Sequence, residues 1–165
     1  MIKAGIEIKL LLIVLALLVL ASSNLFAESF TCKCVGVSDG DTITVLNGRT
    51  QVRIRLEGID APESHQDFGQ KAKQLTSSLA FGKTVTINAV TTDRYGRTVA
   101  RVIAGGKDVS LELVKAGLAW HYKKYSSDPV LAQAEQEARA AKKGLWSMPN
   151  PTPPWDYRHS GKGRK

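Results

Sequence analysis

The chain has 165 residues and a formal net charge of +8, with 23 Lys and Arg against 15 Asp and Glu. Its hydrophobic content of 43% is ordinary for a globular protein, enough to bury the core of one domain with appendages. Two cysteines exclude a disulfide scaffold, and the basic surplus points to polyanionic partners such as nucleic acid, heparin-like polymers or anionic lipid.

Residues 1–27 stand apart from the rest. Lys3 and Lys9 flank a short basic region, and Leu10 to Ala21 (LLLIVLALLVLA) carries no charge. A helix of this run would reach about 18 Å, against about 30 Å of bilayer hydrocarbon. The segment therefore reads as a signal peptide cut after Ala27, with export to the periplasm or the medium. Leu25 occupies the third position before that cut, where a smaller side chain is usual, so an uncleaved membrane anchor is the alternative. Loss of Lys3, Glu7 and Lys9 takes one positive charge from the eight and leaves +7.

From Phe30 to Ile59 apolar and polar residues alternate, broken at SDGD and at Asn47-Gly48, a strong hairpin signal. In QVRIRLEGI, Val52, Ile54 and Leu56 share one strand face, and Arg53, Arg55 and Glu57 share the other. Cys32 and Cys34 fall on one strand face, where a disulfide between them would be strained. A Cys-x-Cys metal pair finds no further Cys and no nearby His to complete it. Residues 66–81 change to helical spacing, with Phe68, Ala72, Leu75 and Leu79 in phase. Two β-rich runs, KTVTINAVT and RTVARVIAGG, then flank Asp93-Arg94-Tyr95-Gly96. A short helix is predicted over Val109–Ala116, stopped by Gly117. Another opens at Asp128-Pro129, an N-cap followed by proline at the first helical position, and ends near Lys142-Lys143-Gly144. Residues 150–165 form a proline-rich basic tail, expected to be extended and solvated; residues 154–165 carry four basic groups and one acidic, a net +3.

This order predicts an α+β, mainly β, domain over residues 28–149: a five-stranded OB-fold barrel with three helices. A sandwich with helices on one face is the alternative. Three clusters fall at strand ends: Asp39-Gly-Asp41-Thr42, Arg55 with Asp60-Ala-Pro-Glu63, and Asp93-Arg-Tyr-Gly-Arg97. Asp41, Asp60 and Glu63 offer hard oxygen donors suited to Ca2+, whereas Zn2+ lacks His or Cys at suitable spacing. Arg55 and Arg97 offer guanidinium forks that match phosphate oxygens. Taken singly, each cluster also has a plain reading: DGDT as a solvated turn, Arg55 as a rim partner of Glu57, DRYGR as a hairpin loop with Gly at positive φ. His65, His121 and His159 offer acid–base groups for metal-free phosphodiester chemistry, although they lie far apart in sequence.

In their order and spacing, DGDT, RLEGIDAPE, DRYGR, GLAWHYKKY and GLWS resemble the staphylococcal nuclease (thermonuclease) family over roughly residues 30–148. The resemblance implies a five-stranded OB barrel with three helices, in agreement with the element count. It implies that Asp41 and Asp60 supply Ca2+ carboxylates and that Ala61 supplies a backbone carbonyl. It further implies that Arg55 binds phosphate, Glu63 positions the attacking water, and Arg97 stabilises the transition state near the leaving group. Arg94 and Tyr95 match the family's basic–aromatic pair beside the nucleotide, and Tyr122 matches a nucleotide-contacting tyrosine. Ala61 stands where the best-known member has threonine, and Trp120 where a nucleotide-contacting tyrosine would fall. The implied activity is hydrolysis of single- and double-stranded DNA and RNA at the 5′ P–O bond, leaving 3′-phosphates, by a monomer without a protein partner. Two rivals from other classes are a non-catalytic nucleic-acid-binding OB module and a basic surface domain that acts through its tail.

Overall fold

The computed structural model describes residues 29–160, so the signal-peptide reading of residues 1–27 and the end of the tail, 161–165, lie outside it. In chain order the elements are β1 (Ser29–Val37), β2 (Thr42–Asn47), β3 (Thr50–Leu56), β4 (Ile59–Asp60) and α1 (Gly69–Ala80). There follow β5 (Thr84–Thr92), β6 (Thr98–Ala104), β7 (Lys107–Asp108), α2 (Val109–Lys115), β8 (Trp120–His121) and α3 (Pro129–Ala140). A 3-10 turn (Gly144–Ser147) and a short helix, α4 (Pro154–His159), complete the described chain.

The main sheet runs β3-β2-β1-β5-β6-β7, and a parallel pairing of β3 with β6 closes five of these strands into a barrel. The predicted mainly-β barrel of the OB type is therefore the observed fold, with four helices among the described residues where three were expected. Alternation dictates its interior: Ile43 and Val45, Ile54 and Leu56, Val85 and Ile87, and Ala100 and Val102 are all buried. Cys32 and Cys34 point inward with them, buried and unpaired. The predicted hairpin is a two-residue loop between β2 and β3, and Gly48 adopts the positive φ of 61° that such a loop demands.

α2 and α3 are fixed by the signals read from the sequence. Asp108 caps α2 by accepting from Leu111 N, and Asp128 caps α3 by accepting from Val130 N at 2.8 Å, with Pro129 next. A second apolar cluster joins Trp120, Ala138, Leu145 and Trp146, with Phe68, Met148 and Trp155 packed on it. The Trp120 and Trp146 rings meet edge-on at 4.4 Å.

The tail departs from expectation. Residues read as extended form α4, because Pro154 sets the first-turn φ and side chains of the helix find partners on the barrel.

Candidate active site

Strand register brings the three clusters together. Thr42 lies opposite Arg55 in the β2–β3 ladder, while parallel pairing places Ile54 opposite Thr98 and Arg55 opposite Val99. The start of β2, the end of β3 and the start of β6 therefore meet at one barrel mouth. Gly40 makes the approach close enough. A Cβ there would sit 2.7 Å from both the Ala61 and the Ala72 Cβ atoms, so a side chain at 40 would push the DGDT turn away from IDAPE. The Thr76 hydroxyl, buried on α1, donates to the Gly40 carbonyl at 2.6 Å and holds the turn down.

Asp41 and Asp60 are almost wholly buried, at 6% and 1% exposure, and Arg55 forks between them. Its Nη1 lies 3.0 Å from Asp41 Oδ2 and its Nη2 lies 2.8 Å from Asp60 Oδ1. Asp41 Oδ2 also accepts from the Ala61 backbone N–H at 2.7 Å, which ties the residue whose carbonyl the resemblance assigns to the ion to the DGDT turn. Burial, with the charges of Asp39 and Asp60, pushes the Asp41 carboxyl up to about 7 against the pull of Arg55 and the Ala61 N–H.

Arg97 reaches the same mouth through a clamp. Asp93 Oδ1 accepts from the Tyr95 and Arg97 backbone N–H groups, and its Oδ2 accepts from Arg97 Nε at 2.7 Å. Slight burial works against these bonds, yet they hold the Asp93 carboxyl below its ordinary range. Arg97 Nη1 then donates to the Thr42 hydroxyl at 3.3 Å, and that hydroxyl donates to Asp41 Oδ1 at 3.2 Å. Thr42 thus links the second arginine to the first carboxylate, whereas the sequence reading gives a role in DGDT to Asp41 alone.

Glu63 stands on the loop after β4, half exposed, and ends within reach of the Asp60 side through a shared partner, Arg158. Arg94 and Tyr95 are exposed beside Arg97, with the Arg94 guanidinium 4.8 Å from the Tyr95 ring centroid. Tyr122 sits next to the short β4–β8 pairing, where its N–H donates to the Gly58 carbonyl. Trp120 is a core residue against Trp146, not a surface contact. Glu57 is not grouped with Asp41, Asp60 and Glu63; its charged neighbours are Arg101, Asp108 and Asp128. His65 is exposed, His121 is buried with Nε2 near the Ser126 hydroxyl, and His159 lies on α4. His121 and His159 line a cavity of about 450 Å3 with Tyr122 and Trp155, away from the arginine pair.

Two participants come from the tail. Arg158 Nη2 donates to Asp60 Oδ2 at 2.7 Å, and its Nη1 donates to Glu63 Oε1 at 2.8 Å. Trp155 stacks on Tyr122, with planes 2° apart. The sequence signal for them was Pro153-Pro154 opening a turn that carries Trp155 and Arg158 on one face, which the basic composition of the tail masked.

Among the described residues, no three acidic, His or Cys side chains form a ready-made metal cage. The donors at the mouth are nevertheless all oxygens, and a cationic guanidinium already bridges Asp60 and Glu63. Two carboxylates, a backbone carbonyl and water are a set that suits a hard divalent cation such as Ca2+.

Comparison with known proteins agrees with the fold. The family model described as Staphylococcal nuclease homologue matches residues 53–148. A protein of Escherichia coli named as an uncharacterized endonuclease is 49% identical over 128 residues, covering 77% of this chain and 84% of that protein. One of the same name from Haemophilus influenzae is 43% identical over 155 residues, covering 93% and 87%. A micrococcal nuclease of Shigella flexneri is 40% identical over 144 residues, covering 81% and 83%. With its barrel, its motifs and these matches, the chain belongs to the staphylococcal nuclease family of phosphodiester-hydrolysing enzymes.

Proposed function

We propose that the chain is an exported, monomeric, Ca2+-dependent endonuclease that hydrolyses DNA and RNA at the 5′ P–O bond and leaves 3′-phosphates. The observation that carries this reading is the convergence of Arg55 and Arg97 with Asp41, Asp60 and Glu63 at one barrel mouth. Export rests on the sequence of residues 1–27 alone.

Asp41 and Asp60, with the Ala61 carbonyl, would hold the cation; bound there, it would neutralise charge on a phosphate oxygen. Arg55 is oriented by both aspartates and keeps N–H donors for the scissile phosphate. Arg97, oriented by Asp93 and Thr42, faces the charge that grows as the phosphorus becomes five-coordinate. Glu63 takes a proton from the attacking water, a new P–O bond forms, and the bond to O5′ breaks. O5′ takes up a proton from solvent as it leaves and Glu63 returns its proton to solvent, so one strand ends in a 3′-phosphate and the other in a 5′-hydroxyl. Tyr95 and Tyr122 offer rings to bases, and phosphate-directed chemistry gives little sequence preference.

The test is hydrolysis of single-stranded DNA with Ca2+ and with chelator, beside Arg97→Ala and Glu63→Gln. Each variant should lose about a hundredfold or more in kcat with an unchanged circular dichroism spectrum. Wild-type rates from either variant would remove its assigned role. Salt-sensitive binding without any cleavage would make the chain a binding module.

A further inference from the structure

Trp155 and Arg158 stand three residues apart on one face of α4, and each occupies a place that the proposed reaction needs for something else. Arg158 takes both Asp60 oxygens and Glu63: Oδ2 at 2.7 Å, Oδ1 at 3.3 Å and Oε1 at 2.8 Å. Trp155 lies parallel to Tyr122 with ring centroids 5.1 Å apart, on the side chain proposed to meet a nucleobase. An aromatic plane and a cation are thus presented together, one turn apart, as a metal-bound nucleotide would present them.

Charge balance points the same way. With Asp41 ionised, as it is above about pH 7, Asp41, Asp60 and Glu63 face Arg55 and Arg158, three negative groups against two positive. Withdrawal of Arg158 leaves three against one, an excess that a divalent cation meets. The element that carries Arg158 is suited to leave. A six-residue helix has no stability of its own, so α4 persists through its contacts. Apart from Arg158 and the Trp155–Tyr122 stack, these are few: Trp155 also meets Trp120 edge-on at 5.6 Å, Pro154 is buried, and Gln66 Nε2 donates to the Thr152 carbonyl at 2.5 Å. The connection from Pro149 to Pro154 holds four prolines and acts as a semi-rigid strap. It lies beyond residues 53–148, the part that matches the family model.

We propose that α4 is an autoinhibitory strap, in which Arg158 competes with Ca2+ for Asp60 and occupies the base Glu63, while Trp155 competes with a nucleobase for Tyr122. The inference rests on the cation site proposed above. Because each ligand removes one anchor of the same helix, Ca2+ and nucleic acid favour one another's binding.

The test uses the full chain and two variants. Calorimetry reads the Ca2+ affinity of wild type and Arg158→Gln without nucleic acid. Fluorescence anisotropy reads binding of a labelled oligothymidylate, in EDTA, to wild type and Trp155→Ala. We expect Arg158→Gln to bind Ca2+ roughly five- to tenfold more tightly, and Trp155→Ala to bind the oligonucleotide several-fold more tightly. Ca2+ affinity that is equal or weaker in Arg158→Gln overturns the strap, while binding by wild type keeps the cation site. Weaker oligonucleotide binding by Trp155→Ala makes Trp155 a substrate platform and overturns it as well. Absence of Ca2+ binding in both chains overturns the cation site and the strap together.

Discussion

Asp41 sits where chemistry and stability pull in opposite directions. Its carboxyl is pushed from an ordinary value of 3.8 to about 7 by burial and the neighbouring acids. Between those values the folded state holds a proton that the unfolded chain has released, so stability of the cation-free protein falls as pH rises through that window. With about 1.4 kcal/mol for each pH unit, the loss is on the order of a few kcal/mol. Asp41→Asn keeps an oxygen for the Ala61 N–H and removes the charge, so at pH 8 in EDTA it should melt higher than wild type while binding Ca2+ far more weakly. An equal or lower Tm would mean that the ion pair with Arg55 outweighs burial. Gly40 works at the same site through space instead of charge. Gly40→Ala forces a methyl group against Ala61 and Ala72, overpacking of about 1–3 kcal/mol. The expected result is a Tm lower by roughly 4–10 °C, with weaker Ca2+ binding. A Tm within 1 or 2 °C of wild type would show that the turn can shift freely.

The elements differ in how much they contribute to the site and in how plainly they announce themselves. α3 supports β8 through Glu135, which is buried and accepts from the His121 backbone N–H at 3.3 Å. Removal of the cap by Asp128→Ala should destabilise the protein by about 1 kcal/mol in urea unfolding and leave kcat nearly unchanged. A loss of kcat as large as that of a site variant would show that the cap positions Tyr122. That cap was legible because Asp128-Pro129 is a local signal, as were Asn47-Gly48 and the alternation of QVRIRLEGI. The clusters at the mouth were legible for the same reason, since DGDT, IDAPE and DRYGR each lie within a few residues. What the sequence hid is non-local. β4 and β8 are two residues each, too short to carry a period, and exist only because each pairs with the other. Arg158 meets Asp60 across 98 positions of sequence, and nothing near position 158 announces a carboxylate partner. A helix that owes its existence to docking leaves little trace in propensity.

For the molecule as a whole, charge governs the approach of substrate. A net charge of +8 on 165 residues, with only a handful of groups at the chemistry, leaves most of the cationic surface to attract polyanion. Oligonucleotide affinity in EDTA should fall by roughly tenfold or more between about 50 and 200 mM salt. An affinity flat in salt would mean that stacking alone holds the strand. The parallel pairing of β3 with β6 carries a different consequence, in the life history of the chain. Ile54 and Thr98 are distant in sequence, and until their strands meet, Arg55 and Arg97 belong to separate segments. Pairing of this range closes a long loop of chain, at an entropic cost that local contacts do not bear. A polypeptide in which β3 and β6 have not yet paired therefore holds the two arginines apart. Closure of the barrel is the moment at which the enzyme comes into being.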